Sequence, residues 1–237
     1  MSTVAQIKQD KMNFSLNEDQ LLLQQTVRDF VIKEVIPKAK NWDESEEVPL
    51  DTVKKLASLG MMGMAVESKY GGSELDPLSI AIVIEELARG DGSLALTIAA
   101  HNGLGCGHIS RFGSEEQKKK YLPDLACGKK LGGWGLTEPG SGSDAAGMKT
   151  KAVKKGNNWI LNGTKMFITN GSIGETFVIL AVTDPEKKQK GITAFILEKG
   201  DKGFKTGKKL EKMGMRSSDT SELIIEEIGR ASCRERV

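Results

Sequence analysis

Histidine and cysteine are scarce in this 237-residue chain, which has only His101 and His108, and Cys106, Cys127 and Cys233. No two cysteines form a Cys-x-x-Cys pair. The pattern therefore offers neither a disulfide framework nor a zinc site, and it suits a reducing compartment. Two histidines cannot build a histidine-rich metal centre, and no metal is expected. Seven residues apart, they are expected on one helix face, in packing or solvent contact. No apolar run approaches the roughly eighteen residues of a membrane span, and MSTVAQIKQDK lacks a signal-peptide core. A cytoplasmic location is the expectation. The net charge is only +2, and three arginines against one glutamate in residues 229–237 account for all of it. Nucleic-acid binding has no support in that balance.

What is present reads as an ordinary folded chain, 38% hydrophobic and 28% charged, long enough for one large or two small domains. The first half is helical in pattern. Leu23, Val27, Phe30, Val31 and Val35 form an amphipathic stripe that Pro37 is expected to end. Further helices are predicted from Pro49 to Leu59, over 77–89 and over 92–112. Ser114 and Gln117 make a capping box for another from Glu115 to about Cys127. After Lys129, short segments rich in β-branched and aromatic residues alternate with Gly/Asn turns: KTKAVKK, NWILNGTKMFIT, TFVILAV, GITAFILEK, FKTGKKLEK and SELIIEE. This is an antiparallel β pattern, with its lysines read as a solvated outer face. The fold class is α+β: an all-helical N-terminal domain over 12–128, then an antiparallel β-barrel-like middle domain over 129–228.

Residues 132–147, GGWGLTEPGSGSDAAG, combine six glycines with Thr137, Ser141, Ser143 and Asp144, and hold no lysine or arginine. Glycine lets backbone approach a flat or phosphorylated ligand, and short hydroxyls can meet its polar edge. A turn-rich surface loop has the same composition. The stretch is not a P-loop, and Gly140, Gly142 and Gly147 miss the G-x-G-x-x-G spacing. Some thirty residues on, Gly156 to Asn170 reads as a hairpin whose return strand ends in Phe-Ile-Thr-Asn.

Together LTEPGSGSD and NGTKMFITN resemble the flavin-binding motifs of the acyl-CoA dehydrogenase family. FSLNEDQ, RFGSEEQKKKYLP and GMRSSDT agree in order, and the resemblance runs from about Met12 to Ile228. The short-chain, butyryl-type branch looks nearest. The resemblance implies FAD-dependent α,β-dehydrogenation of an acyl-CoA thioester to the trans-2-enoyl-CoA. It implies electron-transferring flavoprotein as acceptor and a homo-oligomer, a homotetramer in the family. It carries over Trp134, Gly135, Leu136, Thr137, Glu138, Pro139, Gly140, Ser141, Gly142 and Ser143 as the segment lining the flavin. Phe167, Ile168 and Thr169 carry over as the second flavin strand, and Ser143 as a position shared with substrate. Ala95, Ile98 and Ala99 either set the depth of the acyl tail or serve helix packing alone.

No catalytic residue is assigned, because the family's base is a glutamate of a C-terminal helical bundle that the resemblance does not reach. Glu85 and Glu86 read as a solvated or salt-bridged helix face, and Glu138 as structural. The native sequence is expected to stop near Ile228, with GRASCRERV a foreign tail and residues 1–11 an extension. On that reading the 237 residues are a truncated, inactive form. Two other readings stay open: an acyl-CoA oxidase or flavin monooxygenase on the same scaffold, and a non-catalytic module binding flavin or CoA thioesters.

Overall fold

The structure is a computed structural model that describes residues 15–229. The expected extension over 1–11 and nearly all of the 229–237 tail, Cys233 included, lie outside the described residues. Helix α1 (Glu18–Phe30) opens on a full capping box: Asn17 accepts from the Gln20 amide at 2.8 Å, and the Gln20 side chain accepts from the Asn17 amide at 3.1 Å. Pro37 does not end this helix. A π-helical turn (Val31–Val35) intervenes, and α2 (Ile36–Ser45) continues through the proline. The Ile36 amide reaches back to the Val31 carbonyl. The widened turn thus absorbs the lost proline donor that a regular helix would leave as a gap.

Helix α3 (Leu50–Ser58) stops before Gly60, whose φ of +75° suits glycine, and α4 (Pro77–Gly90) starts under an Asp76 cap. The single helix expected over 92–112 is three pieces: α5 (Gly92–Ala99), a second π-helical turn (Ala100–Cys106) and α6 (Gly107–Phe112). Helix α7 (Glu115–Ala126) has the capping box read from Ser114 and Gln117. Val27, Val31, Leu56, Val83, Leu87, Leu94 and Ile98 fill the core of this helical part.

The second half is a curled sheet of seven strands: β1 (Gly132–Gly135), β2 (Lys151–Lys155), β3 (Asn158–Thr169), β4 (Thr176–Val182), β5 (Ile192–Glu198), β6 (Phe204–Lys209) and β7 (Thr220–Ile228). Six are the segments expected. The hairpin turn lies at Gly156-Asn157, and β3 is the return strand. Most pairings are antiparallel, but β1 runs parallel to β4, and Lys151 of β2 meets Val182 of β4 in a parallel bridge, so the sheet is mixed. Strand β1, four residues with three glycines, is the one the sequence hid. A Cβ on Gly133 would sit 2.7 Å from the Phe177 ring, and one on Gly135 would sit 2.6 Å from Ile179, so close packing requires glycine there.

Strands β4 and β5 are buried on both faces, hence their unbroken apolar run. Phe177, Ile179, Phe195 and Leu197 face the sheet's own core. Val178, Ala194 and Ile196 face α6 and α7 through Ile109, Leu122 and Leu125. That second face seats the sheet on the helices. Since β1 and β2 lie along the same side of β4, residues 136–150 must leave the sheet after β1 and return at the Thr150 carbonyl, which accepts from the Val182 amide at 2.8 Å. The glycine-rich segment is that excursion.

Candidate functional site

The excursion and the end of β3 meet. Trp134, Leu136, Thr137, Phe167, Ile168 and Thr169 line one cleft of about 190 Å³, closed on its helical side by Ala100 and Leu104 of the second π-helical turn. The Met166 amide donates to the Thr137 carbonyl at 2.8 Å, joining the two motifs directly. Next to that bond the β3–β7 register slips between Lys165 and Ile168, and Phe167 takes a φ of +58°. A bulky side chain in this region costs about 1–2 kcal/mol, and such strain concentrates at functional sites. The bulge leaves Phe167 61% exposed at the cleft. Thr137 and Thr169 are half-buried beside it, and neither hydroxyl bonds to a described residue. Two unengaged hydroxyls and an open aromatic face fit the polar edge and flat surface of a flavin.

The remaining residues singled out from the sequence divide. Gly135 is buried under the cleft against Ile179 and Lys165. Ser141 is buried, and its hydroxyl donates to the Asp144 carbonyl at 2.6 Å within its own loop. Pro139, Gly140, Gly142 and Ser143 form the exposed tip, where a Cβ on either glycine would meet nothing within 4 Å. Ser143 is therefore not brought into the cleft. Ala95 and Ile98 pack into the helical core and do not line the cleft; Ala100 and Leu104, unmarked in the sequence, do.

Glu138 and Lys165 form an ion pair at 2.7 Å beneath the loop. Lys165, read as part of a solvated face, is fully buried. Its ammonium also donates to the Leu136 carbonyl at 3.2 Å, and Glu138 accepts from the Lys149 and Thr150 amides at 2.5 and 3.0 Å. Burial pushes the Glu138 carboxyl up, but Lys165, Thr150 and the Lys149 amide outweigh it and hold it below its usual range. Glu138 is thus ionised and fully committed. Burial pulls Lys165 below its usual value, against the attraction of Glu138. Glu86 is likewise committed, buried and bonded by the Arg28 guanidinium through two contacts, one of 3.1 Å.

Strand β1, from which the excursion departs, is held by neutral groups. His101 is wholly buried; its Nε2 lies 2.9 Å from the Met62 carbonyl, and its Nδ1 accepts from the Gly132 amide at 2.9 Å. Burial lowers its pKa to about 4, so the ring is neutral and the bonds fix the tautomer. Asn170, buried with φ of +61°, donates to the Gly132 carbonyl at 3.1 Å. Both polar groups of Gly132 are therefore held by side chains from different elements. Among the described residues no group of three or more histidine, cysteine, aspartate or glutamate side chains could hold a metal, and no helix is long and apolar enough to cross a membrane.

Comparison with known proteins agrees with this architecture. Residues 17–129 match the family described as acyl-CoA dehydrogenase, N-terminal domain, and residues 133–228 match acyl-CoA dehydrogenase, middle domain. The short-chain specific acyl-CoA dehydrogenase of Clostridium acetobutylicum is 46% identical over 217 residues, covering 92% of this chain and 57% of that protein. Butyryl-CoA dehydrogenase from Megasphaera elsdenii superposes with a TM-score of 0.89 at 40% identity, over 95% of this chain and 60% of that one. A Mycobacterium smegmatis glutaryl-CoA dehydrogenase in complex with FADH2 does so with 0.87 at 36%, over 93% and 55%. The chain spans somewhat more than half the length of these relatives.

Proposed function

Because the chain belongs to the acyl-CoA dehydrogenase family, we propose that the cleft between Trp134, Thr137 and Phe167–Thr169 binds FAD and serves α,β-dehydrogenation of a short acyl-CoA thioester. The observation that carries this reading is the convergence of two sequence motifs, some thirty residues apart, on one cleft through the Met166–Thr137 hydrogen bond. Bound there, a flavin supplies the acceptor for hydride leaving the β-carbon. The chain's own residues would hold and shield it. Thr137 and Thr169 would offer hydroxyls to the ring's polar edge, Phe167 and Trp134 would pack against it, and Leu104 and Ala100 would keep water from the helical side.

The base for the α-proton is proposed to come from outside the described residues, because no described lining residue of the cleft is a carboxylate and Glu138 is committed to Lys165. An α-proton of a thioester is a very weak acid, so that base and hydrogen bonds to the thioester oxygen must act together. The 237 residues alone are accordingly proposed to be inactive. Electron-transferring flavoprotein is the proposed acceptor, as the family resemblance implies.

The test uses the protein carried to the length of its relatives. Anaerobic addition of butyryl-CoA should bleach its flavin band. Bleaching by long-chain substrates only would remove the short-chain assignment. Silence with every acyl-CoA would remove the dehydrogenase reading, and turnover by the 237 residues alone would place the base among them.

A further inference from the structure

A second cavity, of about 240 Å³, shares Trp134 and Leu104 with the cleft and is lined also by His108, Arg111 and Phe112. The Trp134 indole N–H donates to His108 Nδ1 at 3.4 Å. Their rings are 6.5 Å apart and tilted by 42°, and the imidazole packs in turn against Phe112 at 5.1 Å. An indole nitrogen can only donate, and an imidazole nitrogen accepts only while it carries no proton. The contact therefore exists in one protonation state of His108 and not in the other.

We propose that His108 is a positioning residue for the cleft: its neutral ring holds the Trp134 indole in the wall against which the flavin packs, and protonation releases that wall. The inference rests on the cleft being the flavin site. Its surroundings agree. Arg111, on the same helix, is the one charged residue among the described lining of the cavity. On the adjoining π-helical turn His101 and Cys106 are buried and neutral, with pKa values near 4 and 12. On α7, Glu115 is engaged by the Tyr70 hydroxyl at 2.6 Å and by Lys118 at 3.4 Å. Half-burial lowers the His108 pKa, which leaves the ring neutral near pH 7.

The experiment uses the protein at its relatives' length, with the emission difference between wild type and Trp134→Phe isolating Trp134 from the other tryptophans. In flavin-free protein this emission should follow a one-proton transition below about pH 7. FAD affinity, titrated on the same samples, should fall about threefold to tenfold on the acid side, the worth of one neutral hydrogen bond. His108→Leu should show acid-side emission and affinity at every pH. His108→Gln, which keeps an acceptor, should hold both near their neutral-side values. Wild-type behaviour in His108→Leu, or a surviving transition in His108→Gln, overturns the proposal. So does an emission change without any change in affinity while Thr137→Val still weakens FAD. If FAD binds to none of these proteins, including wild type, the flavin reading itself has failed and this inference with it.

Discussion

The two ends of the segment from Gly132 to Thr150, strand β1 and the excursion that follows it, are fastened by opposite physics. At its start, His101 and Asn170 grip Gly132 with neutral hydrogen bonds inside the helix–sheet junction. Further along, Glu138 and Lys165 hold the loop with a buried ion pair. Neutral hydrogen bonds carry little penalty for burial once both partners are satisfied. A buried ion pair is stable only while both charges stand. The cleft thus hangs between an anchor that fails when it gains a charge and an anchor that fails when it loses one.

The largest test of that contrast is Lys165→Met. It strands the Glu138 charge under the loop and should destabilise by about 3–5 kcal/mol in urea unfolding, with Lys165→Met/Glu138→Gln recovering much of the loss. Equal instability of the single and double variants would mean that the pair is not the anchor.

Acid separates the anchors next. The His101 pKa is depressed to about 4 from 6.5, so its contribution is complete above about pH 6.5 and is lost as pH falls toward 4, on the order of 3 kcal/mol in all. Glu138, also depressed, loses its contribution only below the usual 4.5. Unfolding free energies at about pH 7 and pH 5 should therefore differ less in His101→Gln than in wild type, while the Lys165→Met/Glu138→Gln double variant, which carries neither charge, leaves that difference unchanged. A common slope in all three would contradict the assignment.

Phe167→Gly sharpens the comparison on the cleft side. It releases about 1–2 kcal/mol of strain against about 1 kcal/mol for the more flexible unfolded chain, so stability should hold or rise slightly. FAD affinity should nevertheless fall. Smallest are Thr137→Val and Thr169→Val, each expected to weaken FAD binding by about 0.5–1.5 kcal/mol with melting unchanged. Full flavin retention in both would remove the hydroxyls from the site.

The parts of this architecture that local chemistry dictates were readable beforehand. Ser114 with Gln117 caps a helix through side chains three residues apart, and six strands announce themselves by β-branched runs between turns. Three features escaped because their causes are not local. Strand β1 is glycine-rich because Phe177 and Ile179 crowd it from across the sheet. Its parallel pairing with β4 leaves no mark on either strand. Lys165 looked like one more surface lysine because its partner, Glu138, is 27 residues earlier. The helical stripe around residues 92–104 was visible, but which residues faced the cleft was not, since a π-helical turn changes the period on which that reading depends.

That turn has a consequence for how the chain tolerates changes in length. A π-helical segment is a helix carrying one residue more than its turns require. Gly103, exposed and with open space where a Cβ would point, is where that surplus is least encumbered. Deleting it would let the segment tighten into an ordinary α-helix without turning what lies beyond, because the wide turn already absorbs the roughly 100° that one residue adds. His108 would keep its place beside Trp134, while Leu104, inside the segment, would shift along the cleft wall. A single codon can therefore be lost here at the cost of a local change in the cleft, where the same loss in a regular helix would turn everything beyond it.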